Sequence, residues 1–130
     1  MKEIAIGTKG SASLTVAAGQ LAVNVGSGSL EVLATPVMIT LMEKAACEAV
    51  AQYMEGDETT VGTQMNADHL AATPQGMTVT AEAEVTAVNG REICFEVTAS
   101  DEAGLIGKGT HKRFLVYGQK FTDKAKSRKA

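Results

Sequence analysis

The sequence has only two cysteines, Cys47 and Cys94, and their spacing fits neither a CxxC pair nor a zinc-binding pattern. No disulfide and no metal site are therefore expected, and both thiols are predicted to be reduced and partly buried. The sequence also lacks a GxGxxG loop followed by an acidic residue, a Walker A loop, an HExxH helix and a GxSxG turn. It thus carries none of these signatures of nucleotide binding, zinc proteolysis or serine hydrolysis.

The sequence also has no surplus of basic residues. It contains 12 Lys and Arg and 15 Asp and Glu, for a net charge of -3. This balance argues against general binding to nucleic acid or to a membrane surface. No apolar run approaches the length of a membrane span. The first residues lack the apolar block of a signal peptide, so we expect a cytoplasmic protein.

The composition that remains is that of a globular protein, with 130 residues, 45% of them hydrophobic and 21% charged. This length predicts one domain with a buried core, which we place over residues 1–119. The last segment, residues 120–130, is rich in lysine. It predicts a solvated, partly frayed basic tail, with contact to a coenzyme phosphate as the alternative.

A mostly apolar stretch, Val37 to Met54, predicts one long helix. Thr35 suits the N-cap, Pro36 suits the first helical position, and Gly56 suits the end. The polar exceptions are spaced by four and predict one narrow solvated stripe; they are Thr40, Lys44, Glu48 and Gln52. A helix that is apolar over the rest of its circumference needs a curved sheet around it.

Alternating apolar and polar residues predict five strands, at Ser13–Ala17, Thr59–Leu70, Met77–Val88, Arg91–Ser100 and Leu105–Tyr117. The Gly-rich residues 18–28 predict a loop, and Asn89-Gly90 predicts a hairpin turn with positive φ at both positions. Together these elements indicate an α+β domain in which one long central helix is wrapped by a five-stranded antiparallel sheet. Open sheet edges favour pairing with a second copy.

Three residues stand out as candidates for chemistry. Glu43 lies off the polar stripe of the helix, where it would lose hydration and become more basic. His69 continues the apolar face of its strand, which we assign as Val61, Thr63, Met65, Ala67 and His69. If the helix covers that face, an imidazole and a carboxylate meet in one partly dry pocket suited to proton transfer. Thr35 joins them as an N-cap at a helix start that can stabilise an oxyanion.

From about Glu31 to Ala125 the chain resembles the hot-dog-fold acyl-CoA thioesterases, and most closely the fluoroacetyl-CoA thioesterase-like group. The matching segments are Val32-Leu33-Ala34-Thr35, Leu41-Met42-Glu43, Val61-Gly62-Thr63, His69 with Thr73-Pro74, Gly76-Met77-Thr78-Val79, Gly107-Lys108-Gly109-Thr110-His111 with Arg113, and Lys120-Phe121. The resemblance implies a hot-dog fold, a catalytic set of Thr35, Glu43 and His69, and a homodimer with active sites at the subunit interface. Pairing of dimers into a dimer of dimers stays open.

The same resemblance places Gly62 near the bound thioester and adds Thr63, His111 and Arg113 as substrate-binding candidates. For His111 the sequence favours a structural role, with substrate contact as the alternative. Relatives that select fluoroacetyl groups carry aromatic residues before the helix, whereas residues 26–30 contain none. We therefore expect a small or medium acyl group and leave its identity open.

The hypothesis is hydrolysis of an acyl-CoA thioester, with Glu43 as nucleophile or as base for water and His69 as proton shuttle. CoA enters as part of the substrate, and no cofactor is expected. Two alternatives stay open at this point. One is a hydratase or dehydratase of acyl thioesters, and the other is a non-catalytic module that binds acyl-CoA.

Overall fold

Five strands and one long helix account for most of the chain in a computed structural model, which describes residues 1–129. The strands are β1 (Lys9–Thr15), β2 (Glu58–His69), β3 (Thr78–Asn89), β4 (Glu92–Asp101) and β5 (Gly104–Tyr117). The helices are α1 (Ala22–Val25), α2 (Thr35–Val50) and α3 (Gly118–Lys126), with short 3-10 turns at Ala18–Gln20 and Ala51–Tyr53. No helix within residues 1–129 has the length and apolar character needed to cross a bilayer.

The strands form one antiparallel sheet in the order β1-β3-β4-β5-β2, so β1 and β2 are its edges. Helix α2 packs on the inner face of this sheet. The inward residues of β3 and β4 are at most 1% exposed, as the alternation predicts; they are Val79, Ala81, Ala83, Val85, Ile93, Phe95, Val97 and Ala99. The predicted α+β architecture, one long helix wrapped by a five-stranded antiparallel sheet, is confirmed.

The polar stripe of α2 is exposed as predicted, while seven of its apolar side chains are buried; these are Met38, Leu41, Met42, Ala45, Ala46, Ala49 and Val50. The predicted N-cap is wrong. Ala34 holds that position with an extended backbone, and Thr35 is already helical, so its hydroxyl is available for another partner. Cys94 is half-buried as expected, but Cys47 is exposed.

A β-bulge at Thr63 changes which residues of β2 face α2. The register to β5 slips between Gly62 and Gln64, so Gly62 pairs with Arg113 and Met65 pairs with His111. Directly paired residues point to the same face, so Gly62 faces inward with Met65, Ala67 and His69. The prediction that Val61 and Thr63 share that face is therefore wrong. Periodicity alone carries no sign of an extra residue in a strand.

Smaller corrections concern the turns. The hairpin between β3 and β4 is confirmed, but its two loop residues are Gly90 and Arg91, between the paired Asn89 and Glu92. Only Gly90 has a positive φ, of 64°, which is the type II′ pattern. The first strand begins earlier than predicted, and the predicted loop at 18–28 contains the short helix α1.

The carboxy-terminal segment is also more regular than expected. Residues 118–126 form α3 rather than a frayed tail, although their side chains are exposed or half-buried. Asp57 holds the start of this helix, because its carbonyl and carboxylate accept the N–H groups of Gly118 (2.9 Å) and Gln119 (3.0 Å). Ala130, the last residue of the predicted tail, lies outside the described residues. The division at residue 119 stays a prediction.

Candidate functional site

Thr35 and His69 form a hydrogen-bonded pair, with 2.8 Å between Thr35 Oγ1 and His69 Nδ1. Thr35 is the first residue of α2 and His69 is the last residue of β2. The pair therefore joins the start of the helix to the end of the edge strand. Its formation explains why the threonine hydroxyl does not cap the helix.

The loop after β2 holds this pair in place. The Leu33 N–H donates to the Thr73 carbonyl (2.8 Å), and the fully buried Thr73 donates its hydroxyl to the Asp101 carboxylate (2.8 Å). That hydrogen bond lowers the pKa of Asp101 below its ordinary value, so the acceptor stays charged and the bond stays strong. The segment leading into α2 is thereby tied to the chain that follows His69.

The second ring nitrogen of His69 is the most unusual atom of the site. Nε2 is buried and finds no hydrogen-bond partner within residues 1–129. Leaving a buried polar group unpaired costs about 1–3 kcal/mol. The ring borders a cavity of about 280 Å³ with mostly small or aliphatic walls, formed by Ala22, Ser27, Val32, Leu33, Leu70, Ala71 and Ala72 together with Thr35. An orphaned nitrogen at a cavity indicates that a ligand or a second chain completes its surroundings.

Glu43 lies eight residues further along α2 and pairs with Arg113 of β5, with 3.1 Å between Glu43 Oε2 and Arg113 Nη1. The Arg113 side chain is 7% exposed, whereas that of Glu43 is 41% exposed. Arg113 also donates from Nε to the Thr60 hydroxyl (2.8 Å) and from Nη2 to the Thr60 carbonyl (3.1 Å). The expected loss of hydration at Glu43 is thus only partial in a single chain, and the guanidinium holds the carboxylate in one orientation.

His111 completes this second cluster. It is 2% exposed, and its Nδ1 donates to the Gln64 carbonyl at 2.7 Å. Nε2 is therefore the acceptor nitrogen, and Arg113 Nη1 donates to it at 3.2 Å. Burial lowers the pKa of His111 below its ordinary value, which keeps the ring neutral in this arrangement. The ring also stacks on Phe95, with centroids 5.9 Å apart. This supports the structural interpretation of His111, as a support for Arg113.

Gly62 lies against the Glu43 carboxylate. A Cβ atom at this position would be 2.6 Å from Glu43 Oε2 and 3.3 Å from Arg113 Nη1, so a side chain here would displace the acid. Thr63, by contrast, is the exposed residue of the bulge, and its hydroxyl donates to the Lys112 carbonyl at 3.2 Å. Substrate contact by Gly62, Thr63, His111 and Arg113 stays a prediction.

If the chain catalyses the thioester hydrolysis hypothesised from its sequence, Gly62→Ala is expected to lower kcat by about tenfold or more, because a 1 Å displacement of a reacting group can cost about a hundredfold. Gly19→Ala is the matched control, since nothing lies within 4 Å of a Cβ at residue 19. Steady-state kinetics of both variants test the expectation. An alanine at residue 62 that leaves kcat at the wild-type value would show that Glu43 is not held for catalysis.

A single chain does not bring Thr35, Glu43 and His69 into one cluster. Eight residues of helix separate Thr35 from Glu43, or about 12 Å of rise. Gly62 and His69 are seven residues apart on β2, or about 20 Å. In a single chain Thr35 and His69 therefore form one cluster, and Glu43 belongs to another. Meeting between two copies stays a prediction.

Thr60 binds Arg113 through both its hydroxyl and its carbonyl, but it was not among the residues predicted from the sequence. The only signal for it in the sequence was Gly62, two residues later, as a mark of close backbone approach. Thr60 and Gly62 share one side by the ordinary alternation of a strand, but the bulge at Thr63 that aligns this side with Met65 and His69 becomes visible only in the paired sheet.

A five-stranded antiparallel sheet wrapped around one long helix is the hot-dog fold, which this chain shares with proteins of the thioesterase superfamily. Comparison with known families makes this assignment more specific. Residues 16–119 match the family model described as fluoroacetyl-CoA-specific thioesterase. The chain belongs to this family.

Individual relatives agree with the assignment. The chain is 43% identical over 98 residues to a fluoroacetyl-CoA thioesterase of Streptantibioticus cattleyicolor, covering 75% of this chain and 70% of that protein. A crystal structure of a variant of the fluoroacetyl-CoA-specific thioesterase FlK with fluoroacetate and CoA has a TM-score of 0.86 and 35% identity, covering 91% of this chain and 99% of that one. A Thermus thermophilus thioesterase superfamily member has a TM-score of 0.91 and 26% identity, covering 99% and 96%.

Proposed function

We propose that this chain hydrolyses acyl-CoA thioesters to the free acid and CoA. His69 would serve as proton shuttle, Glu43 as nucleophile or general base, and Thr35 as the residue that orients His69. The single observation that carries the proposal is the Thr35–His69 pair with its buried, unpartnered Nε2 atom. An imidazole anchored at one nitrogen presents the other for proton transfer. The family relationship and the relative crystallised with CoA support acyl-CoA as the substrate class.

In the proposed reaction, the elements of water add across the thioester bond. Glu43 either attacks the carbonyl carbon, forming a mixed anhydride that water then hydrolyses, or removes a proton from a water molecule that attacks this carbon directly. Arg113 holds Oε2, which leaves Oε1 for this step. His69 delivers a proton to the departing sulfur, and the start of α2 stabilises the oxyanion. Free thiols have a pKa of about 8.5, so the leaving group is tolerable, and CoA is needed only as part of the substrate.

Glu43 and His69 would meet between two copies that join along β2, the 12-residue edge strand. An antiparallel pair centred on Asn66 aligns Met65 with Ala67 and Gln64 with Asp68. Because Thr63 is an extra, bulged residue, the same pair places Gly62 of one copy opposite His69 of the other. Both residues face inward, and opposed residues in an antiparallel pair share a face. Glu43 beside Gly62 would then reach the orphaned Nε2 side of His69 in the second copy. The proposed unit is thus a homodimer with two sites, and a dimer of dimers remains open.

The acyl group is proposed to be small or medium, because the cavity beside His69 is lined by small and aliphatic side chains. Residues 26–30 contribute no aromatic ring, so selection of a fluoroacetyl group is not part of the proposal. A cytoplasmic location is carried over from the sequence as a further part of the proposal.

The test is a thiol-release assay on purified protein with acyl-CoAs of increasing chain length. Release of free CoA is expected for small or medium acyl groups, and the preferred length identifies the acyl site. Enoyl-CoA is included so that loss of its conjugated absorbance would reveal a hydratase instead. Tight acyl-CoA binding without thiol release over hours would contradict hydrolysis and favour a binding module.

A further inference from the structure

A second cavity, of about 520 Å³, lies away from both clusters, between α3 and the carboxy end of β5. This volume is within the usual range for small-molecule sites. Residues 114–117, where β5 ends, line it consecutively. Asp57 fixes the start of α3, so the helix that forms the opposite wall is held in position.

Three aromatic side chains contribute to the apolar part of this cavity, beside Leu115, Val116 and Ala125. Phe114, Tyr117 and Phe121 all contribute to its lining, and they are 38%, 43% and 43% exposed. Arg91 from the β3–β4 turn lies over the Tyr117 ring, 5.5 Å from its centroid. Flat aromatic and guanidinium surfaces of this kind are what a heteroaromatic base stacks on.

Four cations line the same cavity, although the chain as a whole has a net charge of -3. Lys120, Lys124 and Arg128 recur every fourth residue of the carboxy-terminal segment, so they share one side of α3 and its extension. Arg91 adds a fourth charge from the other wall. Within residues 1–129 no Asp or Glu lines the cavity. Asp123 of the same helix instead accepts a hydrogen bond from Gln119, at 2.9 Å.

We propose that this cavity binds the nucleotide end of CoA, with its adenine ring on the aromatic residues and its phosphates on the cations. The inference rests on the proposed function, since it assigns the part of the acyl-CoA substrate that does not react. The cavity is well placed for this role. Tyr117 follows Arg113 by four residues on β5, which is about 13 Å along the strand. The flexible arm of CoA would span this distance between the cavity and the Glu43–Arg113 cluster.

The kinetic test compares acyl-CoA with the corresponding acyl-pantetheine, which carries the same thioester but no nucleotide. The double variant Lys124→Glu with Arg128→Glu is expected to raise KM for acyl-CoA about tenfold or more without changing kcat. The nucleotide does not react, so its contacts stabilise the bound substrate and the transition state equally, and losing them affects only KM. KM for acyl-pantetheine should stay the same. The matched control, Lys126→Glu with Lys129→Glu, makes the same charge change on residues outside the cavity lining. An equal rise in KM for both substrates, or no rise in KM for acyl-CoA, would overturn the proposal.

A binding measurement separates failure of this inference from failure of the proposed hydrolysis. Calorimetric titration with adenosine 3′,5′-bisphosphate, which is not a substrate, is expected to show binding to wild type and control but a loss of at least about tenfold in the Lys124/Arg128 variant. Equal affinity in all three proteins would refute the site, as would inorganic phosphate binding as tightly as the nucleotide. A change of oligomeric state in that variant with unchanged nucleotide affinity would also refute it, and would identify the cavity as a contact between copies.

Discussion

Glu43→Gln and His69→Ala are each expected to lower kcat for acyl-CoA hydrolysis by about 10²–10⁴-fold, the usual contribution of a positioned acid or base. Glutamine keeps an oxygen that can accept the hydrogen bond from Arg113, so the buried guanidinium retains a partner. It can neither attack a thioester nor take a proton from water. Alanine at residue 69 removes the only imidazole beside Thr35 in residues 1–129.

Thiol-release kinetics under saturating substrate measure the effect. Lys44→Ala serves as control, because Lys44 neighbours Glu43 on α2 but lies on the exposed polar stripe. Thermal unfolding of each variant verifies that the fold is kept. Wild-type kcat in either Glu43→Gln or His69→Ala, with substrate still bound, would remove that residue from the chemistry.

A heterodimer of the two inactive chains is expected to recover about half of wild-type activity per dimer, if each site of a two-fold dimer draws on both copies. One site then combines an intact Glu43 with an intact His69, and the other site has lost both. The chains are coexpressed with different tags and purified by both. Each parent homodimer should stay inactive, so the expected gain is about 50-fold or more over the parents, taking the lower bound for general acid–base catalysis.

The matched control pairs a wild-type chain with a chain that carries both substitutions. Sites shared between copies then each lack one group, and this heterodimer should be inactive. If each site were instead built within one chain, the control heterodimer would be active, because its wild-type chain retains a complete site, and the first heterodimer would be inactive. Activity in the control and none in the first heterodimer would therefore disprove the shared site, as would a purely monomeric active protein by light scattering.

Local patterns were sufficient for most of the fold. The alternation from Thr78 to Val85 and from Ile93 to Ala99 predicted the buried faces of β3 and β4, because strand side chains alternate whatever their neighbours are. The four-residue spacing from Thr40 to Gln52 predicted the exposed side of α2 for the same kind of reason. Both signals depend only on backbone geometry, which repeats along the chain.

Features that depend on contacts between distant residues were not predictable in this way. Thr35 was interpreted as an N-cap because its local sequence suits one, but its hydroxyl binds His69, 34 residues away. The bulge at Thr63 depends on pairing with β5. The tail interpretation missed α3, whose start is held by Asp57.

The candidate site shows the same division. By itself, the sequence determined that Glu43 and His69 are out of place for a solvated surface, since each interrupts an apolar face. Only the tertiary structure decided that they occupy separate clusters in one chain, with Arg113 on Glu43 and Thr35 on His69. The physical reason is that periodicity states which side of an element a residue faces. Distances along and between elements, set by sheet register and helix placement, determine which residues on that side meet.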